Sequence, residues 1–197
     1  MELEFGSVVR RRASMVTTEI SQVPLSGVLF LLQTAQQAGM PALLDVDVSP
    51  EVALGPAQLG TQAELLQCVT SASVVKLTAD AARELLTLVN PSLKQQQEKS
   101  LDGLAQQLAD ALRTRLCVVT EGSKGLALAL GRRTAREGGV GGGVRVNPVF
   151  VPGLKGISLI DFTGAGDAAF GGMVASLHAH GYPSNQEGLL RMGRVAA

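Results

Sequence analysis

Four apolar runs of strand length restrict most what this chain can become: "PALLDVDV" at 41–48, "SVVKL" at 73–77, "LCVVT" at 116–120 and "GLALAL" at 125–130. Their valine and leucine stretches lack the strict alternation of a strand with one wet face, so each needs cover on both sides. The cover is available in the segments between them. "SGVLFLLQTAQQAG" (26–39) has apolar residues at helical spacing, opens behind Pro24 and Ser26, and closes on Gly39. Further helices are expected near 61–69, after Thr78 as N-cap, and across "KSLDGLAQQLADALRTR" at 99–115. Helices alternating with continuously apolar strands predict an α/β domain with a largely parallel sheet.

Composition narrows the partners. The chain has 197 residues, 46% of them hydrophobic, and 17 Lys plus Arg against 17 Asp plus Glu. That is enough for one sizeable core, and the zero formal net charge gives no long-range field to recruit nucleic acid or an anionic membrane. The apolar stretch "GVLFLL" (27–32) is far shorter than the roughly 18 residues of a membrane span. "MELEFGS" at the start is acidic and lacks the apolar core of a secretory signal. A cytoplasmic protein is expected, with an organelle as the alternative if a targeting segment precedes Met1. Cys68 and Cys117 are the two cysteines, too few and too far apart for a disulfide framework or a zinc site. Cys117 reads as core.

In open α/β sheets, ligands gather beyond the carboxyl ends of the strands. The polar residues there are Asp45 and Asp47, Thr78, "TEGSKG" at 120–125 and "DFTGAGD" at 161–167. "DFTGAGDAAFGG" (161–172) packs four glycines and two aspartates into twelve positions. Gly164 and Gly166 permit a tight turn and a close anion, and the helix expected after them offers free amides and a partial positive charge. Asp167 then has two readings: an acid favoured by the helix dipole, or a general base beside an anion hole. Spacing alone does not choose between them.

"DFTGAGDAAFGG" resembles the signature of the ribokinase or PfkB-type carbohydrate kinases, D-T-x-G-A-G-D followed by small and aromatic residues and a Gly-Gly pair. Upstream and in the right order, "VVTEGSKG" (118–125) resembles that family's nucleotide segment and "LLDVDVS" (43–49) its D-x-N-x-R strand end. The resemblance runs from about Val16 to the C-terminus. It implies a ribokinase-like three-layer α/β/α sandwich, incomplete because the first strands and the substrate lid have no counterpart in this chain. Residues 1–15 then read as a poorly ordered extension and 16–197 as a partial kinase domain. A second expectation follows, that the missing strands leave an apolar sheet edge exposed.

The function implied is ATP-dependent phosphoryl transfer to a hydroxyl of a sugar or similar small alcohol. Carried over residue by residue, the resemblance makes Asp167 the base and Gly164, Ala165 and Gly166, with the Asp167 amide, the anion hole. Thr120, Glu121, Gly122, Ser123, Lys124 and Gly125 would contact the nucleotide, with Thr78 nearby. Asp161 and Thr163 fall where many relatives hold a monovalent cation. ATP and magnesium are the implied cofactors, potassium is admitted at Asp161 and Thr163, and a homodimer is compatible with the family.

Departures from the pattern support an alternative, a weak or inactive member that binds nucleotide or a protein partner. Thr78 and Ala81 stand where the magnesium-linked N-x-x-E motif has Asn and Glu. Asp47 and Ser49 replace the Asn and Arg of the strand-end motif, Phe162 a small polar residue, and Ala169 an aromatic one. "RMGRVAA" puts Gly193 and Arg194 in a helix that normally carries A-N-A near adenine. Other features carry less. His178 and His180, about 200° apart around a helix, would not converge on a metal. Lys124 lacks P-loop spacing. "GRRTAREGGVGGGVR" (131–145) reads as a mobile surface loop, "RRRAS" (10–14) as a chance phosphorylation pattern, and "QQQ" (95–97) as a solvated loop.

Overall fold

The computed structural model describes residues 13–92, 98–131, 146–156, 161 and 163–197. The expectations for most of the 1–15 extension, the glycine-rich loop, "QQQ", the apolar run 157–160 and Phe162 lie outside these residues. A six-stranded sheet runs in sequence order. Its strands are β1 (Val16–Ile20), β2 (Ala42–Val46), β3 (Val74–Thr78), β4 (Leu116–Thr120), β5 (Gly125–Leu130) and β6 (Val149–Pro152). The helices are α1 (Leu25–Gln37), α2 (Pro50–Leu54), α3 (Gln62–Ser71), α4 (Ala79–Val89), α5 (Leu101–Leu112), α6 (Ala165–His180) and α7 (Gln186–Ala196).

β1 to β4 are parallel, as the unalternating apolar runs require. Each parallel step needs a crossover, and right-handed crossovers that always advance the same way across a sheet place their helices on the same face. The core reflects this: Val28 of α1, Ala53 of α2, Leu65 of α3, Leu85 of α4 and Leu108 of α5 all pack into one apolar cluster. The opposite face belongs to the C-terminal helices, with Met173 and Leu177 of α6 and Leu189 and Met192 of α7 covering Leu43, Val74, Leu116 and Val118. The last two pairings are antiparallel. Gly122–Lys124, a single 3-10 turn, is too short for a crossover, so β5 returns antiparallel to β4, and β6 in turn pairs antiparallel to β5. In β5 the alternation is one of size: Ala127 and Ala129 join the first cluster, Leu126 and Leu128 the second.

The helix starts follow the side chains that cap them. Thr61 and Glu64 form a reciprocal capping box at α3, and Ser100 and Asn185 accept amides at the starts of α5 and α7. Thr78 caps α4 as expected, accepting the Ala81 amide at 3.3 Å. Sequence reading passed over β1, α2, β6 and the start of α7. The expectation of an apolar sheet edge needs correction: β1 occupies that edge, and Thr17, Thr18 and Glu19 lie along it, none of them buried. A strand's side chains point to the two faces of its sheet, so what an open edge bares is backbone. No helix among the described residues is long and apolar enough to cross a membrane.

The Gly171–Gly172 pair separates two roles. A Cβ on Gly172 would lie 2.5 Å from the Val195 carbonyl oxygen and 3.1 Å from the Ala196 Cα, so α6 and α7 would have to part. A Cβ on Gly171 meets nothing within 4 Å. Gly172→Ala should therefore destabilise the chain by about 1–2 kcal/mol, overpacking outweighing helix propensity, whereas Gly171→Ala should stabilise it by about 0.5–1 kcal/mol. Urea unfolding midpoints check both, and equal shifts of the same sign would contradict the helix contact.

Candidate active site

The carboxyl ends of β2, β3 and β4 lie along one side of the sheet because the strands are parallel. Thr78 and Thr120, the last residues of β3 and β4, are directly paired there, and the Thr120 hydroxyl donates to the Leu77 carbonyl at 3.2 Å. Ser49, beyond β2, spends its hydroxyl on capping α2, accepting from the Val52 amide at 3.4 Å. Ala81 is fully buried in the first core, so the site receives no carboxylate from that position.

On the α6 face, cross-strand pairing sets Glu19, Asp45, Lys76 and Val118 side by side on four neighbouring strands. Lys76, 1% exposed, is held at 2.7 and 2.6 Å by the two carboxylate oxygens of Asp45 and at 3.5 Å by Asp47. Asp45 is also buried, and an unpartnered ion there would cost several kcal/mol. Burial, with smaller contributions from Asp47 and Asp167, raises the Asp45 carboxyl to about 6, outweighing the opposite pull of Lys76. The two cysteines take no part: Cys68 donates weakly to the Leu25 carbonyl and burial raises its thiol to about 12, and burial raises Cys117 as well.

The glycine turn arrives from the other side. Gly164, at φ +78°, is the residue before α6, and no side chain caps the helix there. The amides of Ala165, Gly166 and Asp167 therefore begin the helix with no carbonyl a turn behind them. Asp161 accepts the Thr163 amide at 2.8 Å and braces the approach. Asp167 is exposed in the first turn, and its carboxylate lies within 4.8 Å of those of Asp45 and Asp47. Three carboxylates against one ammonium leave net negative charge at the strand ends, in a group close enough together to hold a metal ion. Asp45 has both oxygens on Lys76, so the exposed Asp47 and Asp167 are the members of the group with carboxylate oxygens turned to solvent. An open groove lined by Thr17, Thr18, Glu19, Asp45, Asp167 and Phe170 leads to this group.

The segment 120–125 forms the β4–β5 turn. Glu121 pairs with Lys124 at 2.7 Å on the surface, and Gly122 and Gly125 take positive φ values that favour glycine. Gly153 donates to the Lys124 carbonyl at 3.0 Å, fixing the turn against the end of β6. Gly193 faces the second core, where a Cβ would come 2.6 Å from Val151, while Arg194 is exposed. His178 and His180 sit in the last turn of α6 and take no part in the carboxylate group. Sequence reading missed Lys76, Glu19, Thr17 and Thr18. The one available signal was a lysine inside the apolar run "VVKLT", which asks for a buried partner.

Residues 20–197 match the model of the pfkB family of carbohydrate kinases. No curated protein matches the chain. Among solved structures, ribokinase from Thermotoga maritima is similar with a TM-score of 0.63 and 16% identity, over 100% of this chain and 52% of that one. Phosphofructokinase-2 from Escherichia coli, in complex with substrates and products, gives 0.60 and 17% over 99% and 53%. Fructokinase from Vibrio cholerae O395, bound to fructose, ADP and calcium ion, gives 0.55 and 26% over 87% and 46%. The chain thus spans about half the length of the structures it matches, and its ribokinase-like α/β fold covers that half. With residues 20–197 matching the family's model, the chain belongs to the pfkB family of carbohydrate kinases.

Proposed function

We propose that this chain carries the base and the nucleotide-binding side of an ATP-dependent kinase that phosphorylates a hydroxyl of a sugar or similar small alcohol. The observation that carries this reading is the placement of Asp167: an exposed carboxylate in the first turn of an uncapped helix, above the strand ends and at the head of an open groove. The acceptor lies in the groove and gives its hydroxyl proton to Asp167 as its oxygen bonds to the γ-phosphorus. The bond from that phosphorus to the ADP oxygen breaks, and the amides of Ala165, Gly166 and Asp167 meet the charge on the transferring group. Segment Thr120–Gly125 and Thr78 hold the nucleotide.

Asp47 is the residue to meet magnesium, which when bound neutralises phosphate charge, and Asp167 is left free to act as the base. Asp161 and Thr163 are the residues for potassium. The acceptor and ATP are the partners, in the cytoplasm, and a homodimer is the assembly to look for. A second reading, a weakly active or inactive nucleotide-binding member, is favoured by two observations. Ala81 offers no carboxylate, and the Ser49 hydroxyl is occupied at α2.

Two outcomes test this. Asp167→Asn should lower ATP turnover about 10²-fold or more while nucleotide affinity, read by calorimetry, stays nearly the same. Unchanged turnover would remove Asp167 from the mechanism. In the 197-residue chain the open groove leaves the acceptor unshielded, so residual activity should be slow ATP hydrolysis with no detectable sugar phosphate in a coupled assay over a sugar panel. Sugar phosphorylation at ordinary kinase rates, about 1–100 per second, would mean that transfer does not require an enclosed acceptor.

A further inference from the structure

We infer that Lys76 is a positioning residue for Asp167 and that position 166 is glycine because the Lys76 ammonium lies beneath it. The inference rests on the reading of Asp167 as the base. In the first turn of α6 an alanine would serve the helix better than Gly166, and the backbone there is helical. What a Cβ at 166 would meet within 4 Å is one atom, the Lys76 Nζ, at 3.3 Å. An ammonium at the end of a free lysine would swing aside. This one is fixed at 2.6 and 2.7 Å by both oxygens of the buried Asp45 and braced at 3.5 Å by Asp47.

The consequence reaches Asp167 through its neighbour. The Lys76 ammonium lies 3.3 Å from where a Cβ at position 166 would sit, and the next residue brings its carboxylate within 4.8 Å of Asp45 and Asp47. Three carboxylates at such separations repel, and Lys76 supplies the positive charge among them. The approach of an anion would also favour glycine at 166, but that reason is independent of residue 76. The two explanations therefore differ in whether the two positions are coupled.

A double-mutant cycle read by the backbone amide resonances of Asp167 and Ala168 decides between them. Gly166→Ala should displace these resonances in the Lys76 chain, and at least about threefold less in Lys76→Met, whose side chain ends one atom short of the ammonium. Equal displacement in both backgrounds would overturn the inference. If Lys76→Met does not fold, Asp45→Asn removes the stranded carboxylate, and the same cycle compares Asp45→Asn with Lys76→Met/Asp45→Asn. In ATP turnover, Lys76→Met should lower kcat about tenfold with KM for ATP within about twofold. A raised KM at unchanged kcat would make Lys76 a nucleotide contact instead and overturn its positioning role. The resonances need no nucleotide, so additive displacements reject the Lys76 contact and leave the phosphoryl-transfer reading standing. Coupled displacements with no turnover in any protein support the contact and reject that reading.

Discussion

Lys76 starts in the middle of a parallel strand and ends where two strands and the first turn of a helix meet. Its ammonium is out of water, and so is the Asp45 carboxylate that holds it. Either ion alone would be a heavy load on a fold whose margin is only about 5–15 kcal/mol. Together they are tolerable, and their pairing depends on β2 and β3 lying in one register. A slip of one residue by either strand would turn its charged side chain to the opposite face, away from its partner and among the leucines and alanines of the first core. The ion pair and the sheet register are thus mutually dependent, and the carboxylate group at the strand ends follows from both.

The division of the sheet into two faces explains why the site lies where it does. Five helices fill the face served by the crossovers, and α6 and α7 cover the other. Glu19, Asp45 and Lys76 form a polar row on that second face, directly under the start of α6. Farther along the sheet the same face is leucine and valine. Polarity is therefore confined to the end where α6 begins, and the amides and partial positive charge of the helix start face the carboxylates.

The departures at Ser49 and Ala81 also acquire physical meaning. Ser49 belongs to the helix after β2, as its cap, and Ala81 to the apolar core beneath α4. Neither position is empty of purpose; both have been given to the scaffold. Asp47 goes the other way, adding a carboxylate to the group where the family motif has an amide. The balance of charge at the strand ends thus differs from that of the motif, with one ammonium among three acids.

The sequence by itself determined the class of fold and singled out Asp167 as the candidate base. Continuous apolar runs cannot be half-exposed strands, Gly-x-Gly before a helical pattern makes a turn open to anions, and "TGAGD" is specific enough to single out Asp167. These are local properties, readable within a dozen residues. The partner of Lys76 was beyond its reach, because Asp45 lies 31 residues away and only the register of β2 on β3 brings them together. The same holds for Glu19, adjacent to Asp45 across a strand pair, and for Gly172, whose reason for being glycine is the α7 backbone. Tertiary structure decided these because each is a contact between segments distant in the chain, and sequence pattern records which face a residue seeks but not which residue waits there.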